Sequence, residues 1–177
     1  MSGHSHWAGI KHKKEITDKK RGVLFSKLLN AVSAAAKNEP NPQFNPRLRT
    51  AVEKAQENNV PLVNIERAIK KASESKDLEE LIIEAYGPGG AAILINAISD
   101  NKNQTISEIK KILTDNSAKI AEPGSVLWAF EQPTSGEWQA KFKQEISADD
   151  KPKLEVLIQE LDNRDDIQKV YTNKSFL

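Results

Sequence analysis

The chain of 177 residues contains no cysteine. This excludes disulfide bonds, thiolate metal sites and a nucleophilic cysteine. Long apolar runs are also missing, since no stretch approaches the roughly 18 apolar residues of a membrane span. The basic N-terminus lacks the apolar segment of a secretory signal. These absences fit a reducing compartment, so we expect a cytoplasmic protein without a membrane partner.

Histidine is scarce, and His4, His6 and His12 all precede the first segment with an apolar stripe. A hydrolytic triad needs a histidine that a packed scaffold holds beside a nucleophile and an orienting acid. The three imidazoles could gather a metal ion, but no rigid element or fourth ligand accompanies them. We therefore predict no enzyme, no catalytic residue, no metal or other cofactor and no small-molecule substrate. The imidazoles are better interpreted as groups that stack on bases or contact phosphate.

Three further motifs are interpreted structurally. We interpret the acidic pair at 149–150 as negative charge at the N-terminus of a helix. The pair at 165–166 is interpreted as polar residues that follow the end of a helix. The sequence GPGG at 87–90 lacks the Lys-Ser/Thr and the helix start of a phosphate-binding loop, which favours a turn between strands.

Positive charge is concentrated at the start of the chain. Residues 1–27 hold seven Lys or Arg and two acids, together with Trp7. Residues 1–76 carry 15 basic and 7 acidic side chains, whereas residues 77–177 carry 11 and 18. Basic side chains with a stackable aromatic in a flexible arm indicate nucleic-acid binding. The alternative is a solvated, frayed terminus.

The first half of the chain predicts a small helical domain. An apolar stripe follows a candidate N-cap at Thr17, and the proline-rich residues 38–42 end that helix. A second helix begins at Asn45 and Pro46, with the asparagine as its cap. Pro61 opens a third. The stripe residues are Leu24, Leu28, Val32, Ala35, Leu48, Val52, Ala55, Ile65, Ala68, Ile69 and Ala72.

The second half switches towards the two-residue period of strands. The charge changes sign in a polar joint, so we predict domains at 1–76 and 77–177. Strands are predicted at 81–86, 91–98, 125–131, 138–146 and 167–171, with helices at 105–116 and after Ser147. Apolar and polar residues alternate over 138–146, so we expect Trp138, Ala140 and Phe142 to face the helices. From residue 91 the order is β-α-β-β-α-β, preceded by one extra strand. The expected fold class is α+β, with a ferredoxin-like second domain whose helices cover one face of an antiparallel sheet.

Eight segments in order resemble the YebC/PmpR family, which includes the mitochondrial translational activator of cytochrome oxidase subunit one. The segments are GHSHWAGIKHKK (3–14), DKKRGVLFSKL (18–28), NPRLRTAVEKAQENNVP (45–61), NIERAIKKA (64–72), AYGPGG (85–90), SDNKNQT (99–105), GSVLWAFE (124–131) and LDNRDDIQKVYTN (161–173). The resemblance implies a non-enzymatic, cytoplasmic nucleic-acid-binding protein. Members are linked both to transcription and to the ribosome, where they help synthesis through difficult sequences such as proline runs.

The chain departs from the family pattern at several places. His6, Gly9 and Gln104 stand where members usually carry Lys, Asn and Arg. Members usually also have a third domain inserted after the strand that corresponds to residues 125–131. Here a short hairpin turn at 132–136 takes its place, so the third domain is expected to be deleted.

Three functional hypotheses remain. The favoured one is a ribosome-associated translation factor, because lysines contact phosphate without reading sequence and an unpaired arm suits irregular RNA. The alternatives are a DNA-binding transcriptional regulator and a protein-interaction module, and the oligomeric state is open. The candidate nucleic-acid contacts are His4, His6, Trp7, Lys11, His12, Lys13, Lys14, Lys19, Lys20, Arg21, Lys27, Arg47, Arg49, Arg67, Lys70 and Lys71.

Overall fold

The computed structural model describes residues 3–74, 78–133 and 136–175, with the side chains of residues 14–72, 78–133 and 136–175. The chain folds into two compact units, Met1–Ser73 and Glu74–Leu177. The first unit is helical, and the second combines an antiparallel sheet with helices. Within the described ranges, no helix combines the length and the apolar character needed to cross a membrane.

The first helix, α1, spans Gly3–Ala36 without interruption. The prediction of a flexible arm that ends in an N-cap at Thr17 is therefore wrong. The sequence explains the longer helix, because residues 3–36 contain no proline. In addition, Lys11, Glu15 and Lys19 follow one another at the four-residue spacing at which opposite charges support a helix.

Two further helices, α2 (Pro46–Glu57) and α3 (Leu62–Glu74), complete the described part of this unit. The predicted cap at Asn45 is confirmed, since its side-chain oxygen accepts a hydrogen bond from the N–H of Leu48 at 3.0 Å. Its amide nitrogen donates to the carbonyls of Ala35 and Glu39, each at 2.7 Å. Asn45 thus joins the end of α1 to the start of α2.

The core of the first unit lies between the C-terminal half of α1 and the other two helices. The Ser33 hydroxyl donates to the carbonyl of Ala68 at 3.1 Å, which joins α1 to α3. Leu24 was predicted to belong to the apolar stripe but is exposed. It precedes the part of α1 that packs against the other two helices. The buried apolar residues are Leu28, Val32, Ala35, Ala36, Leu48, Ala55, Val60, Ile65 and Ala72.

The second unit contains, in chain order, β1 (Glu79–Gly87), β2 (Ala91–Ser99), α4 (Lys102–Asp115), β3 (Lys119–Ile120), β4 (Phe130–Glu131), β5 (Gln139–Ala140), β6 (Gln144–Glu145), α5 (Lys151–Asp162), β7 (Ile167–Thr172) and β8 (Lys174–Ser175). The main sheet has the order β3-β1-β2-β7, and each neighbouring pair is antiparallel. The predicted α+β class is confirmed. The extra strand, β1, lies inside the sheet between β3 and β2, and the predicted strands at 125–131 and 138–146 lie outside it.

Strand β2 is apolar on both faces, and almost all of it is buried. Ile93 and Ile95 pack with Ile109 of α4 and Leu157 of α5. On the other face, Ala92 and Leu94 pack with Val126, Ala129 and Phe130 from the segment after β3. Both faces of the sheet therefore have cores, whereas the sequence predicted packing on one face only.

The segment after β3 is less regular than its sequence predicts. Strands β4 and β5 pair only at Phe130 with Ala140 and at Glu131 with Gln139. A short 3-10 turn occupies Leu127–Ala129, inside the predicted strand. In the connection between β4 and β5, the N–H of Gly136 donates to the carbonyl of Pro133 at 2.8 Å.

The predicted alternation over residues 138–146 is also corrected. Trp138 and Ala140 pack on the sheet face of Leu94, which is opposite to the helices. Phe142 was expected in the core but is 56 % exposed. The chain bends at residues 141 and 142, directly after β5, so the two-residue alternation does not continue.

Candidate nucleic-acid interface

The N-terminal half of α1 extends beyond the core of its unit. Residues 14–22 are all exposed, whichever way their side chains leave the helix. Even the apolar Ile16 is 44 % exposed, and burial starts only around Phe25 and Leu28. A helical segment that is polar and exposed on every side gains little from packing within its own chain. We call residues 14–22 the basic segment of α1.

Its cations point in several directions. Lys14, Lys19, Lys20 and Arg21 are all exposed. At 3.6 residues per turn, Lys14 and Arg21 share one side of the helix, and Lys19 and Lys20 leave in two other directions about 100° apart. The exposed acids Glu15 and Asp18 leave between Lys14 and Lys19, so the basic segment presents positive charge around the rest of the helix.

Arg21 lies at the base of this segment. Its guanidinium carbon is 5.1 Å from the centroid of the Phe25 ring, within the range of a cation–π contact. Phe25 packs against the core of the unit. This contact holds one cation near the point where the exposed part of α1 meets the packed part.

Helices α2 and α3 add further exposed cations to the first unit. The Arg49 guanidinium donates to the carbonyls of Pro42 at 3.3 Å and Gln43 at 3.4 Å, so it also holds the loop before α2. The unit Met1–Ser73 carries 14 basic and 6 acidic side chains. The exposed cations of α2 and α3 among the candidates are Arg47, Arg49, Arg67, Lys70 and Lys71.

Lys27 is the exception among the described candidates. Its side chain is only 9 % exposed. Lys27 is followed directly by Leu28, at the level of α1 where the unit closes around its core. The burial of Lys27 therefore argues against the expected contact with a ligand, because 9 % of the residue is exposed.

The remaining candidates belong to helix α1, where the structure describes their backbone but not their side chains. They are His4, His6, Trp7, Lys11, His12 and Lys13. Their contacts to nucleic acid stay predictions. The described side chains include no group of three or more His, Asp or Glu that could hold a metal ion.

The second unit contains a buried carboxylate that the sequence analysis did not identify. Glu84 of β1 is 7 % exposed and accepts hydrogen bonds from the N–H groups of Gly124 at 2.5 Å, Val126 at 2.6 Å and Leu127 at 2.7 Å. Burial alone would raise the pKa of Glu84, but these N–H groups outweigh it and the pKa is lowered. The available signal was a single acid within the apolar run of residues 81–86.

Glu84 thereby fixes the loop that carries an exposed aromatic residue. The carbonyl of Ser125 accepts the Tyr86 hydroxyl at 2.9 Å and the indole N–H of Trp128 at 2.8 Å. The Trp128 ring is 62 % exposed, and its centroid lies 5.9 Å from that of Phe142. The sequence analysis missed this exposed pair.

The acidic pairs have structural partners. Asp150 is the N-cap of α5, as predicted for helix N-terminal charge, and exchanges hydrogen bonds with Ser147. Asp166 accepts the Arg164 guanidinium at 2.9 and 2.6 Å and the Thr105 hydroxyl at 2.9 Å. Because Arg164 also binds Glu108 of α4, the 165–166 region joins the end of α5 to α4 and is more than a polar helix exit.

The prediction of a turn at GPGG is confirmed. Pro88–Gly90 form a 3-10 turn between β1 and β2, with left-handed φ values at Gly89 and Gly90. An open groove of about 540 Å³ lies beside the turn and is lined by Tyr86, Gly87, Gly90, Ser117, Ala118 and Lys119. Lys119 is the one charged residue in this lining.

Comparisons with known proteins agree with the resemblance. Residues 5–75 match the TACO1/YebC protein N-terminal domain, and residues 78–135 match the TACO1/YebC second and third domain. A probable transcriptional regulatory protein of Aquifex aeolicus is 43 % identical over 97 % of this chain and 70 % of its own length. One from Trichlorobacter lovleyi is 41 % identical over 99 % of this chain and 72 % of its own.

Other relatives match a smaller share. A probable transcriptional regulatory protein of Natranaerobius thermophilus is 52 % identical over 75 % of this chain, which corresponds to 54 % of its own length. The matched part of this chain thus corresponds to between about half and three quarters of the length of these relatives. A crystal structure of a conserved hypothetical protein from Aquifex aeolicus superposes with a TM-score of 0.82 and 30 % identity, covering 88 % of this chain and 90 % of that one. The chain therefore belongs to the TACO1/YebC family.

Proposed function

We propose that this protein is a nucleic-acid-binding regulator that binds duplex DNA through the basic segment of α1. The observation that carries the proposal is the exposure of residues 14–22 on all sides, with cations in several directions. The major groove of B-DNA is about 12 Å wide, admits an α-helix and has phosphates along both walls. Cations that leave the helix in different directions can reach both walls at once.

The continuous helix favours DNA over RNA. The hypothesis of ribosomal RNA as the partner rested on the lysines and on a flexible arm, whereas Gly3–Ala36 form one helix. The major groove of A-form RNA is deep and narrow, so side chains cannot read it. The names of the relatives in Aquifex aeolicus and Trichlorobacter lovleyi, probable transcriptional regulatory proteins, support the same choice.

The proposal is one of binding without catalysis, in the cytoplasm. The exposed cations of the basic segment are three lysines and one arginine. Lysine contacts phosphate as a point charge and fixes position more than sequence. We therefore propose a regulator whose affinity comes mainly from phosphate contacts and whose sequence preference is modest.

A second candidate is a ribosome-associated factor that assists synthesis of difficult sequences such as proline runs. The predominance of lysine in the basic segment supports it, because phosphate contacts that ignore sequence suit a folded ribosomal RNA surface equally well.

Titration of a fluorescent DNA duplex with the full chain tests the main proposal. Lys19→Glu/Lys20→Glu should weaken binding and reduce the steepness of its salt dependence by about 2, because each lost phosphate contact lowers that slope by about 1. Lys110→Glu/Lys111→Glu is the matched control, since it reverses two adjacent exposed lysines of α4. Equal effects of the two variants would contradict the proposal.

Sedimentation of lysate with and without RNase separates the two candidates. The main proposal predicts that the protein does not sediment with ribosomes and that it binds the duplex through Lys19 and Lys20. Comigration with ribosomes that RNase abolishes, combined with weak duplex binding, would favour the second candidate instead.

A further inference from the structure

The second unit exposes two aromatic rings next to each other. Trp128 is 62 % and Phe142 56 % exposed, and their ring centroids are 5.9 Å apart at an interplanar angle of 44°. The N–H of Lys141 donates to the carbonyl of Ala129 at 2.9 Å, which joins the neighbours in sequence of the two aromatic residues. We call this pair of rings the aromatic platform. Large exposed aromatics that touch one another mark a binding surface more often than an isolated exposed apolar residue does.

Trp128, one of the two rings, is anchored by hydrogen bonds of its own loop. The indole N–H of Trp128 is bound to the carbonyl of Ser125, so the ring has little freedom to fold away. The loop that contains Ser125 is fixed by the Glu84 carboxylate through the N–H groups of Gly124, Val126 and Leu127. A ring that is fixed before binding loses little conformational entropy when a ligand stacks on it.

Two lysines accompany the platform. Lys141 and Lys143 flank Phe142 in the sequence, and both are exposed. Exposed acids lie nearby in the sequence at Glu131 and Glu145, so the local charge is mixed. Stackable rings with adjacent cations are the combination that binds single-stranded nucleic acid, where unpaired bases stack and lysines meet the phosphates. The paired bases of a duplex offer no free face to such rings.

We infer that the aromatic platform of Trp128 and Phe142 is a second nucleic-acid site, which binds unpaired bases by stacking. This inference rests on the proposed function, since it takes nucleic acid as the ligand. The unit Glu74–Leu177 carries 12 basic and 19 acidic side chains, so its own affinity is weak and adds to that of the first unit. The predicted ligand of the platform is a short single-stranded segment.

The test measures binding of the full chain to a labelled single-stranded oligothymidylate of about ten nucleotides, within the site size of known single-strand binders. A duplex without overhang is the second probe. Trp128→Ala/Phe142→Ala should lower affinity for the oligothymidylate by about fivefold or more and leave the duplex affinity unchanged. Ile82→Ala is the control, because Ile82 is also a large exposed apolar residue of the same unit, 53 % exposed.

The conservative variant Trp128→Phe guards against a folding effect. It keeps a ring for stacking but removes the indole fluorophore. The oligothymidylate should therefore still bind, while the quenching of tryptophan fluorescence seen with the unaltered chain largely disappears. Both proteins carry Trp7→Phe in this measurement, because Trp7 is itself a candidate nucleic-acid contact and would add its own quenching. Persistent quenching in Trp128→Phe on that background would overturn the inference.

The other possible results also decide for or against the aromatic platform as a nucleic-acid site. Unchanged oligothymidylate affinity in Trp128→Ala/Phe142→Ala overturns the inference, and a dimer that this variant dissociates would assign the platform to self-association. In that case the proposed function stands as long as the duplex still binds through Lys19 and Lys20. If neither probe binds the unaltered chain, the proposed function fails together with the inference.

Discussion

At the residue scale, Glu84 organises a segment 40 residues away in sequence. A buried carboxylate is stable only when hydrogen bonds replace its hydration, and the N–H groups of Gly124, Val126 and Leu127 provide them. Those N–H groups are thereby satisfied by a side chain, which explains why the segment forms a loop and a 3-10 turn in place of the strand predicted at 125–131.

Glu84→Gln should lower the free energy of unfolding by about 3 kcal/mol, because the neutral amide replaces charge-assisted hydrogen bonds and directs an N–H₂ group at N–H donors. Chemical denaturation checks this value. Glu79→Gln, at an exposed position of the same strand, should change it by less than about 0.5 kcal/mol. A near-neutral Glu84→Gln would show that the carboxylate does not hold the loop.

The same residue predicts a pH dependence. The pKa of Glu84 is lowered in the folded state, so its ionised form contributes stability above the unfolded pKa of about 4.3. That contribution should disappear as the pH falls below this value and through the lowered folded pKa. Glu84→Gln should therefore show a flatter loss of stability with acid than the unaltered chain, as followed by denaturation at a series of pH values.

At the element scale, α1 shows what local sequence can and cannot predict. Its packed half was predictable from the apolar stripe. The two following helices were predictable from proline and from the cap at Asn45, because these signals act within a few residues. The extension to Gly3 was missed because Thr17 resembles a helix start although nothing ends the helix before it. Charges spaced by four residues were the stronger signal.

In the second unit, the local sequence predicts the central strand but not the exposed aromatic residue. The buried strand at 91–98 was readable from its continuous apolar run. The exposure of Phe142 could not be predicted, because it follows from a bend in the chain directly after β5. For the interface, the basic residues could be predicted from charge, but the burial of Lys27 depends on the packing of the unit.

Gly22 offers a direct test of the helix that carries the basic segment. Among the described residues, a Cβ built at Gly22 would meet no heavy atom within 4 Å. Gly22→Ala should therefore stabilise the helical segment by about 0.5–1 kcal/mol and raise the helical circular dichroism signal. Gly22→Pro should break the helix at this point, since proline in a helix interior costs about 3 kcal/mol.

Nucleic-acid binding distinguishes these two variants further. If the helix is the bound form, the duplex affinity of Gly22→Ala should equal or exceed that of the unaltered chain, and Gly22→Pro should bind more weakly. Equal helical signals for the alanine and proline variants would contradict a continuous α1.

At the scale of the whole molecule, the two units differ in charge and architecture. Met1–Ser73 has a net charge of +8 and Glu74–Leu177 of −7, and each has its own apolar core. We propose that they are domains divided near residue 76, so a fragment of residues 77–177 should fold alone. A cooperative thermal transition of that fragment supports the division, and an unfolded fragment would contradict it.

The salt dependence of duplex binding tests the central claim most directly, because it counts the phosphates that the protein neutralises. With contacts from about four cations of the basic segment, log K should fall with log salt at a slope of about −3 to −4. Lys19→Glu/Lys20→Glu should bring the slope to about −2 or less steep. A slope near zero, or a slope that this variant leaves unchanged, would contradict the account of DNA binding through α1.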